Sequence, residues 1–373
     1  MEVGRRAVGQ QRRVEEPREY RSAGPHQIVR DCPWDSSLTT SYTTQLLLAR
    51  QISTSGWPQK EVSSGGQHSS PEKEPSAAHS WVDRLPARVV PYAKLIRLHA
   101  PIGTWLLAWP CFWSIALASP PGALPDVRLL ALFGAGALLL RGAGCTVNDL
   151  WDRDLDAKVE RTKSRPIASG LITPLQATGF LGLQLLLGLG ILLQLNAYSI
   201  ALGASSLGLV FTYPLLKRFT YWPQAYLGLT FNWGALLGWA AVQGSCNWGA
   251  VLPLYASGVC WTLVYDTIYA HQDKRDDVSA GVKSTALLFA EQTKPILGAF
   301  AASQIALLGV TGYMTDSGLP FYASMIAAGG NLAWQIMAVD LDDRKDCMAK
   351  FVSNKWFGAV LFSGIVADKL LQV

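Results

Sequence analysis

Nine apolar runs follow one another along this chain, and they constrain its fold more than any other feature. They cover 101–118, 128–147, 174–194, 198–215, 222–243, 249–269, 295–313, 319–338 and 355–372. A helix of roughly 20 apolar residues crosses the roughly 30 Å of hydrocarbon in a bilayer. Hydrophobic residues make up 50% and charged residues only 16% of the 373 residues, which excludes an ordinary soluble protein. We therefore predict an all-α membrane protein with nine transmembrane helices.

The Lys and Arg residues between the runs predict how the helices are oriented. They precede the first run and follow the second, fourth, sixth and eighth runs. The alternate connections, near 119–127, 194–198, 244–249 and 314–318, contain none. Under the positive-inside rule, the basic loops and the N-terminus lie on the cytoplasm-equivalent side of the membrane.

Residues 1–80 differ in kind from residues 81–373, which form the predicted transmembrane domain. Ser53 to Ser80 is rich in Ser, Gly, Pro and Gln and has no sustained apolar period, so we predict a disordered N-terminal extension. The many Arg residues in the first fifty positions suggest a mitochondrial presequence, whereas the acidic residues among them favour a plain disordered tail. Both interpretations stay open. The six cysteines show no metal-ligand spacing and are predicted to be packing residues.

A dense acidic segment follows the second run. At about 100° per residue, Asn148, Asp152 and Asp156 share one face of a helix that extends this run. Asp149 falls inside the same arc. Arg141 lies on this face two turns deeper in the membrane, where an arginine is costly. We therefore expect Arg141 to face a polar cavity and an anionic partner.

A second acidic segment follows the sixth run. Spacings of seven and four residues put Asp266, Asp273 and Asp277 on one helical face. Both segments follow even-numbered runs, so they open on the same side of the membrane. Oxygen donors without aligned His or Cys favour a hard cation such as Mg²⁺ over zinc or copper. Because Mg²⁺ is usually held by few carboxylates plus substrate phosphates, the expected ligand is a metal-diphosphate.

Several of these features have simpler explanations. Basic residues near both acidic segments suit phosphate oxygens, but the positive-inside rule also accounts for them. They are Arg161, Lys163, Arg165, Lys217, Arg218 and Lys274. One acidic run beside a helix is often a solvated surface, whereas two on one side favour a site. A third acidic group, Asp342, Asp343 and Asp346, is interleaved with Arg344 and Lys345, so we predict a solvated loop there.

The two acidic motifs resemble those of the UbiA superfamily of intramembrane aromatic prenyltransferases. The first is Asn148-x-x-x-Asp152-x-x-x-Asp156 and the second is Asp273-x-x-x-Asp277. The resemblance covers about 90–373.

Three further stretches, 160–170, 213–218 and 265–270, resemble the 4-hydroxybenzoate polyprenyltransferases within this superfamily. The segment 97–104 resembles the family's opening stretch, usually Arg-Leu-Asp-Lys-Pro-Ile-Gly-Thr. His99 and Ala100 replace Asp and Lys there, so no role is carried over to these two positions.

The resemblance implies a helix bundle around a central cavity and a magnesium-dependent reaction of ubiquinone biosynthesis. An all-trans polyprenyl chain passes from polyprenyl diphosphate to the ring carbon ortho to the hydroxyl of 4-hydroxybenzoate. The implied Mg²⁺ ligands are Asn148, Asp152, Asp156, Asp273 and Asp277, and the four aspartates among them are the implied catalytic residues. The implied diphosphate-binding residues are Arg161, Arg165, Lys217, Arg218 and Lys274. Asp266 would bind metal or orient the aromatic substrate, and Arg97 or Arg141 would bind the benzoate carboxylate.

The resemblance also implies a multi-pass protein of the mitochondrial inner membrane, with the site facing the matrix. It allows association with other ubiquinone-pathway enzymes, and no nucleic acid partner is expected. A relative acting on another acceptor, such as homogentisate or a haem precursor, would share the metal motifs. A multi-helix transporter would also explain intramembrane charge, but transporter sites lie near the midplane, whereas these charges lie at one membrane face.

Overall fold

In this computed structural model, the structure describes residues 80–157, 162–210, 212, 219–274, 277–278 and 282–372. All regular elements in these ranges are helical, which agrees with the predicted all-α class. The α-helices are α1 (Val90–Leu95), α2 (Ile102–Ala118), α3 (Val127–Trp151), α4 (Arg153–Asp156), α5 (Pro174–Leu192), α6 (Ala197–Ser205), α7 (Pro223–Phe231), α8 (Trp233–Gln243), α9 (Trp248–Ala270), α10 (Thr285–Phe289), α11 (Thr293–Met314), α12 (Leu319–Ala338) and α13 (Arg344–Leu371). Short 3₁₀ helices cover Trp81–Arg84, His271–Asp273 and Ala290–Gln292. Residues 1–79, most of the predicted N-terminal extension, lie outside the described residues.

Polar side chains fix where several helices begin. Asp126 Oδ1 accepts the backbone N–H groups of Arg128 and Leu129 at the start of α3. At the start of α5, Thr173 and Gln176 form a reciprocal capping box, with a proline at the first helical position. These caps satisfy N–H groups that a helix leaves without intrahelical partners.

The helices follow most of the predicted apolar runs, but α6 ends at Ser205 within the fourth run, and the fifth and last runs also differ from the prediction. The fifth run is divided at Asn232, where α7 ends and α8 begins, and the Asn232 side chain donates to Gly228 O and to Thr262 Oγ1 of α9. The last helix begins at Arg344 rather than near 355, because Asp343 caps it. The third acidic group is therefore partly helical: Asp346 lies in the first turn of α13 and pairs with Lys350 at 2.9 Å, although it was predicted to be in a loop.

Length and apolar composition identify membrane-spanning candidates among the described helices. Four stretches qualify: Val127–Trp151, Pro174–Leu192, Trp248–Asp273 and Thr285–Met314. Ile102–Ala118 and Ala197–Val210 are shorter apolar helices. The membrane class is confirmed, whereas the number of nine spans and the central cavity stay predictions.

Helix α2 contacts both helices that lead into the acidic segments. It packs against α3 and α9, and also against α8 and α13. In this core the Trp113 Nε1–H donates to Gly358 O at 3.0 Å, and the Trp261 Nε1–H donates to Asn354 Oδ1 at 2.8 Å. Trp261 also stacks on Phe357. Since both indole N–H groups are satisfied inside an apolar environment, these contacts fix the relative positions of α2, α9 and α13.

Candidate active site

The polar side chains of the first acidic segment keep their helical spacing across the end of α3. The Asp152 N–H donates to Asn148 O at 2.9 Å, and the Asp156 N–H donates to Asp152 O at 2.8 Å. These bonds bridge the break between α3 and α4, so the three residues lie on successive turns as expected. Asp156 is buried, whereas Asn148 and Asp152 are half-buried.

Two arginines meet two of the aspartates in what we term the arginine–aspartate network, formed by Arg97, Asp149, Arg165 and Asp156. The Arg97 Nη2 atom donates to Asp149 Oδ1 at 2.7 Å and to Oδ2 at 2.9 Å. The Arg165 Nη1 atom donates to Asp156 Oδ2 at 2.8 Å and lies 3.3 Å from Asp149 Oδ1. The Asp149 side chain is only 1% exposed, so this carboxylate depends on the two guanidinium groups for its neutralisation.

Asp149 is therefore central to the arginine–aspartate network, although helical spacing placed it only inside the arc of the first acidic face. Its second partner, Arg165, was predicted to bind phosphate. Its first partner, Arg97, was one of two candidates for the benzoate carboxylate, and here it is bound to Asp149.

Arg97 adopts an uncommon backbone conformation. Its φ of 58° lies in the left-handed region, which costs a residue with a side chain about 1–2 kcal/mol. Its Nη1 atom donates to Lys94 O and Leu95 O at 3.0 and 3.3 Å, while Nη2 binds Asp149. Together these bonds hold the turn between α1 and α2 in this strained conformation. Partial burial, together with the Arg97 and Lys94 cations, lowers the pKa of the nearby His99.

Arg141 lies on α3 seven residues before Asn148, and its guanidinium rests against Gly103 of α2. A Cβ atom at Gly103 would lie 2.3 Å from Arg141 Nε and 2.8 Å from Cζ. Arg141 is half-buried and has no hydrogen-bond or ion-pair partner among the residues that the structure describes. It therefore differs from Arg97, whose guanidinium is already bound.

The second acidic segment lies at the end of α9. Asp266 is in the last two turns of α9, Asp273 ends the following 3₁₀ helix, and Asp277 follows within the described residues. Each of these three makes at least one further polar or electrostatic interaction. The Lys274 Nζ atom donates to Asp342 Oδ1 at 2.6 Å and to Leu341 O at 3.1 Å, so this predicted phosphate ligand is paired with the loop before α13.

The donor set fits a hard cation in its chemistry, because it consists of carboxylate and amide oxygens. Within the described ranges, no three His, Cys, Asp or Glu side chains come close enough to hold a metal by themselves. Mg²⁺ usually takes one or two carboxylates and completes its shell with phosphate oxygens and water. Arg161, Lys217 and Arg218 lie outside the described residues.

Comparisons with known proteins agree on one family. Residues 107–360 match the UbiA prenyltransferase family. A relative from Arabidopsis thaliana is 67% identical over 294 residues, covering 79% of this chain and 72% of the relative. One from Homo sapiens is 57% identical, covering 79% of each chain, and one from Caenorhabditis elegans is 51% identical, covering 92% and 93%. All three are named mitochondrial 4-hydroxybenzoate polyprenyltransferase.

Solved structures show the same fold at lower identity. A UbiA homolog from Aeropyrum pernix K1 superposes with a TM-score of 0.61 at 24% identity, covering 71% of this chain and 97% of that chain. A UbiA homolog from Archaeoglobus fulgidus, bound to GPP and Mg²⁺, superposes with a TM-score of 0.54 at 15% identity, covering 74% and 99%. At these identities the structural likeness concerns the fold alone.

Proposed function

The chain belongs to the UbiA prenyltransferase family, and from this membership we propose that it prenylates 4-hydroxybenzoate in ubiquinone biosynthesis. An all-trans polyprenyl chain passes from polyprenyl diphosphate to the ring carbon ortho to the hydroxyl. The observation that carries this proposal is the 67% identity to a relative of that name over 79% of the chain. The enzyme acts as a multi-pass protein of the mitochondrial inner membrane with its site facing the matrix, and its proposed protein partners are other ubiquinone-pathway enzymes.

The acidic residues are proposed to hold Mg²⁺ together with the diphosphate of the donor. Asn148, Asp152 and Asp156 supply oxygens from one segment, and Asp273 and Asp277 supply them from the other. When bound, the ion offsets the charge of the diphosphate and favours its departure.

The basic residues are proposed to bind the leaving diphosphate. Arg165 contacts one of the proposed metal-binding carboxylates, since its Nη1 atom is 2.8 Å from Asp156 Oδ2. Lys274, Arg161, Lys217 and Arg218 complete the proposed set. Their donors stabilise charge as it accumulates on the phosphate oxygens, which lowers the barrier to breaking the allylic C–O bond.

Arg141 is the better of the two candidates for the benzoate carboxylate. The Arg97 guanidinium is committed to both oxygens of Asp149, whereas Arg141 has no partner among the described residues. Arg141 also lies two turns deeper than Asn148, where an aromatic ring would sit between the cation and the diphosphate. A guanidinium in such a low-dielectric position binds a carboxylate strongly and orients it.

The remaining chemistry needs no covalent enzyme nucleophile. The C–O bond between the allylic carbon and the diphosphate breaks, and the electron-rich ring carbon ortho to the hydroxyl forms the new C–C bond. The ring then loses its proton from that carbon and becomes aromatic again. Asp266, on α9 seven residues before Asp273, is proposed to orient the phenol or to join the metal ligands.

The purified full-length protein in lipid tests the proposal. With 4-hydroxybenzoate, a polyprenyl diphosphate and Mg²⁺ it should form prenylated hydroxybenzoate, and removal of Mg²⁺ by EDTA should stop the reaction. Asp152→Ala and Asp273→Ala should abolish turnover, whereas Asp154→Ala should not, because the Asp154 side chain is 89% exposed and contacts only Arg153. Product from homogentisate but none from 4-hydroxybenzoate would reassign the acceptor, and unchanged rates in the first two variants would refute the metal roles.

A further inference from the structure

Arg165 forms an ion pair with Asp156, a carboxylate that the proposed function assigns to Mg²⁺. Its Nη1 atom lies 2.8 Å from Asp156 Oδ2, and the side chains of Arg165 and Asp156 are 24% and 8% exposed. The same nitrogen lies 3.3 Å from Asp149 Oδ1. One guanidinium nitrogen therefore bridges two carboxylates, and each of these is largely removed from water.

The network is neutral as it stands. It contains two guanidinium groups and two carboxylates, and Asp149 and Asp156 have no other charged partners in the described chain. Adding a divalent cation at Asp156 alone would give the network an excess charge of two and bring the ion next to the Arg165 guanidinium. Because both sides of this contact are mostly buried, water would screen the repulsion poorly.

Arg97 anchors the network while Arg165 is able to change partners. Arg97 binds Asp149 through both carboxylate oxygens and also binds two backbone carbonyls. Arg165 makes one short contact and one long one, both through a single nitrogen. The other donors of its guanidinium make no hydrogen bond within the described residues, so they point to a partner that arrives with the substrate.

We propose that Arg165 is an exchangeable counterion that keeps the site closed to free Mg²⁺ and opens it to the metal together with a diphosphate. This inference rests on the proposed function. When the metal-diphosphate arrives, Arg165 releases Asp156 to the metal and turns its donors to the phosphate oxygens, and Asp149 retains it at the site. Metal and diphosphate therefore bind cooperatively, because each removes the electrostatic obstacle to the other.

Binding measurements on the purified full-length protein test this exchange without turnover. Calorimetry with Mg²⁺ alone is compared between Arg165→Gln and Arg153→Gln. Arg153→Gln is the matched control, since it removes the same charge from the same segment but contacts only the exposed Asp154. Arg165→Gln should bind Mg²⁺ alone about tenfold more tightly than Arg153→Gln, a factor within the usual range of coupling between sites. Equal or weaker binding in Arg165→Gln overturns the exchange.

Cooperativity is measured with geranyl S-thiodiphosphate, an unreactive prenyl diphosphate, in EDTA and in saturating Mg²⁺. Mg²⁺ should raise the affinity for this probe about tenfold or more in the wild type and in Arg153→Gln, and distinctly less in Arg165→Gln. An undiminished gain in Arg165→Gln would contradict the exchange and leave the proposed function standing. If the wild type binds no probe in Mg²⁺, the metal-diphosphate role fails and the exchange fails with it.

A folding defect in Arg165→Gln would be recognised by size-exclusion chromatography, and Arg165→Lys then replaces it. Lysine keeps the charge but is shorter and has a single nitrogen, so it bridges Asp149 and Asp156 less well. Mg²⁺ alone should bind this variant about threefold more tightly than it binds the wild type, a smaller gain than the one expected of Arg165→Gln. Weaker binding than in the wild type would overturn the exchange.

Discussion

Gly103 leaves the space in which the Arg141 side chain lies. Ile102, Trp105 and Leu106 of the same helical turn carry large side chains. At Gly103 a Cβ atom would approach Arg141 Nε to 2.3 Å. The obstructed group is the flexible end of a long side chain and not a backbone atom. A methyl group at this position would therefore displace the guanidinium rather than separate the helices.

We expect Gly103→Ala to weaken binding of the aromatic acid while leaving the protein folded. If Arg141 holds the carboxylate, its displacement should raise the KM for 4-hydroxybenzoate about tenfold or more, because a hydrogen bond to a charged group contributes about 1.5–3 kcal/mol. Steady-state kinetics with each substrate varied in turn measures this. Gly190→Ala, within α5, is the control, since no atom lies within 4 Å of a Cβ there. A raised KM for the polyprenyl diphosphate instead would place Arg141 at the other substrate.

At the scale of single residues, helical spacing predicted which carboxylates share a face but not which cations they meet. Asn148, Asp152 and Asp156 follow from a period of 3.6 residues. The pairing of Asp149 with Arg97 depends on the turn between α1 and α2, 52 residues away in the chain, and on the left-handed φ of Arg97. Nothing in local spacing encodes such a contact, so the sequence could only rank Asp149 as an accessory residue.

Two glycines of α8 form the surface on which α2 packs. Gly234 and Gly238 lie one turn apart; a Cβ would be 2.3 Å from Cys111 Sγ at the first and 2.7 Å from Cys111 O at the second. Small residues four positions apart allow helix backbones to approach closely within a membrane. Because α2 also contacts α3 and α9, this packing sets the position of both acidic segments.

We expect Gly238→Ala to destabilise the bundle. The obstructing atom is a backbone oxygen, so α2 and α8 must separate, and such overpacking costs about 1–3 kcal/mol. The apparent Tm in detergent should fall by about 2–6 °C, as a cost of this size implies for a domain of several hundred residues. Gly309→Ala, within α11, meets no atom within 4 Å and should leave Tm unchanged or slightly raised. An equal Tm in the two variants would show that α2 and α8 pack less closely than described.

At the scale of elements, apolar runs predicted the helices well because hydrocarbon thickness fixes their length. The exceptions are set by polar side chains. Asn232 divides the fifth run because its side-chain amide binds α9. Helix α13 begins eleven residues before its apolar run because Asp343 caps it, and hydropathy does not detect the polar first turns. Gly-rich helices were expected to pack closely, but the particular glycines that do so on α8 were not predicted, since their partner helix α2 is not adjacent in the chain.

The described helices expose many large apolar side chains. Helix α5 alone exposes Leu183, Leu185, Leu186, Leu187 and Leu189 by about half or more. A surface of this kind is stable in lipid and not in water. Both acidic segments lie at the ends of α3 and α9 that adjoin basic loops, so we expect them to share one polar face of the transmembrane domain.

This face should lie on the matrix side of the inner membrane. The basic loops adjoin Asp154, whereas the loop containing Ser245, between α8 and α9, has no Lys or Arg. In a background without native cysteines, Ser245→Cys should react with a membrane-impermeant maleimide added to mitoplasts, and Asp154→Cys should react only after the membrane is permeabilised. Both positions are exposed, so burial does not decide the result. Labelling of Asp154→Cys in intact mitoplasts, with protection of Ser245→Cys, would invert the orientation and place substrate entry on the opposite side.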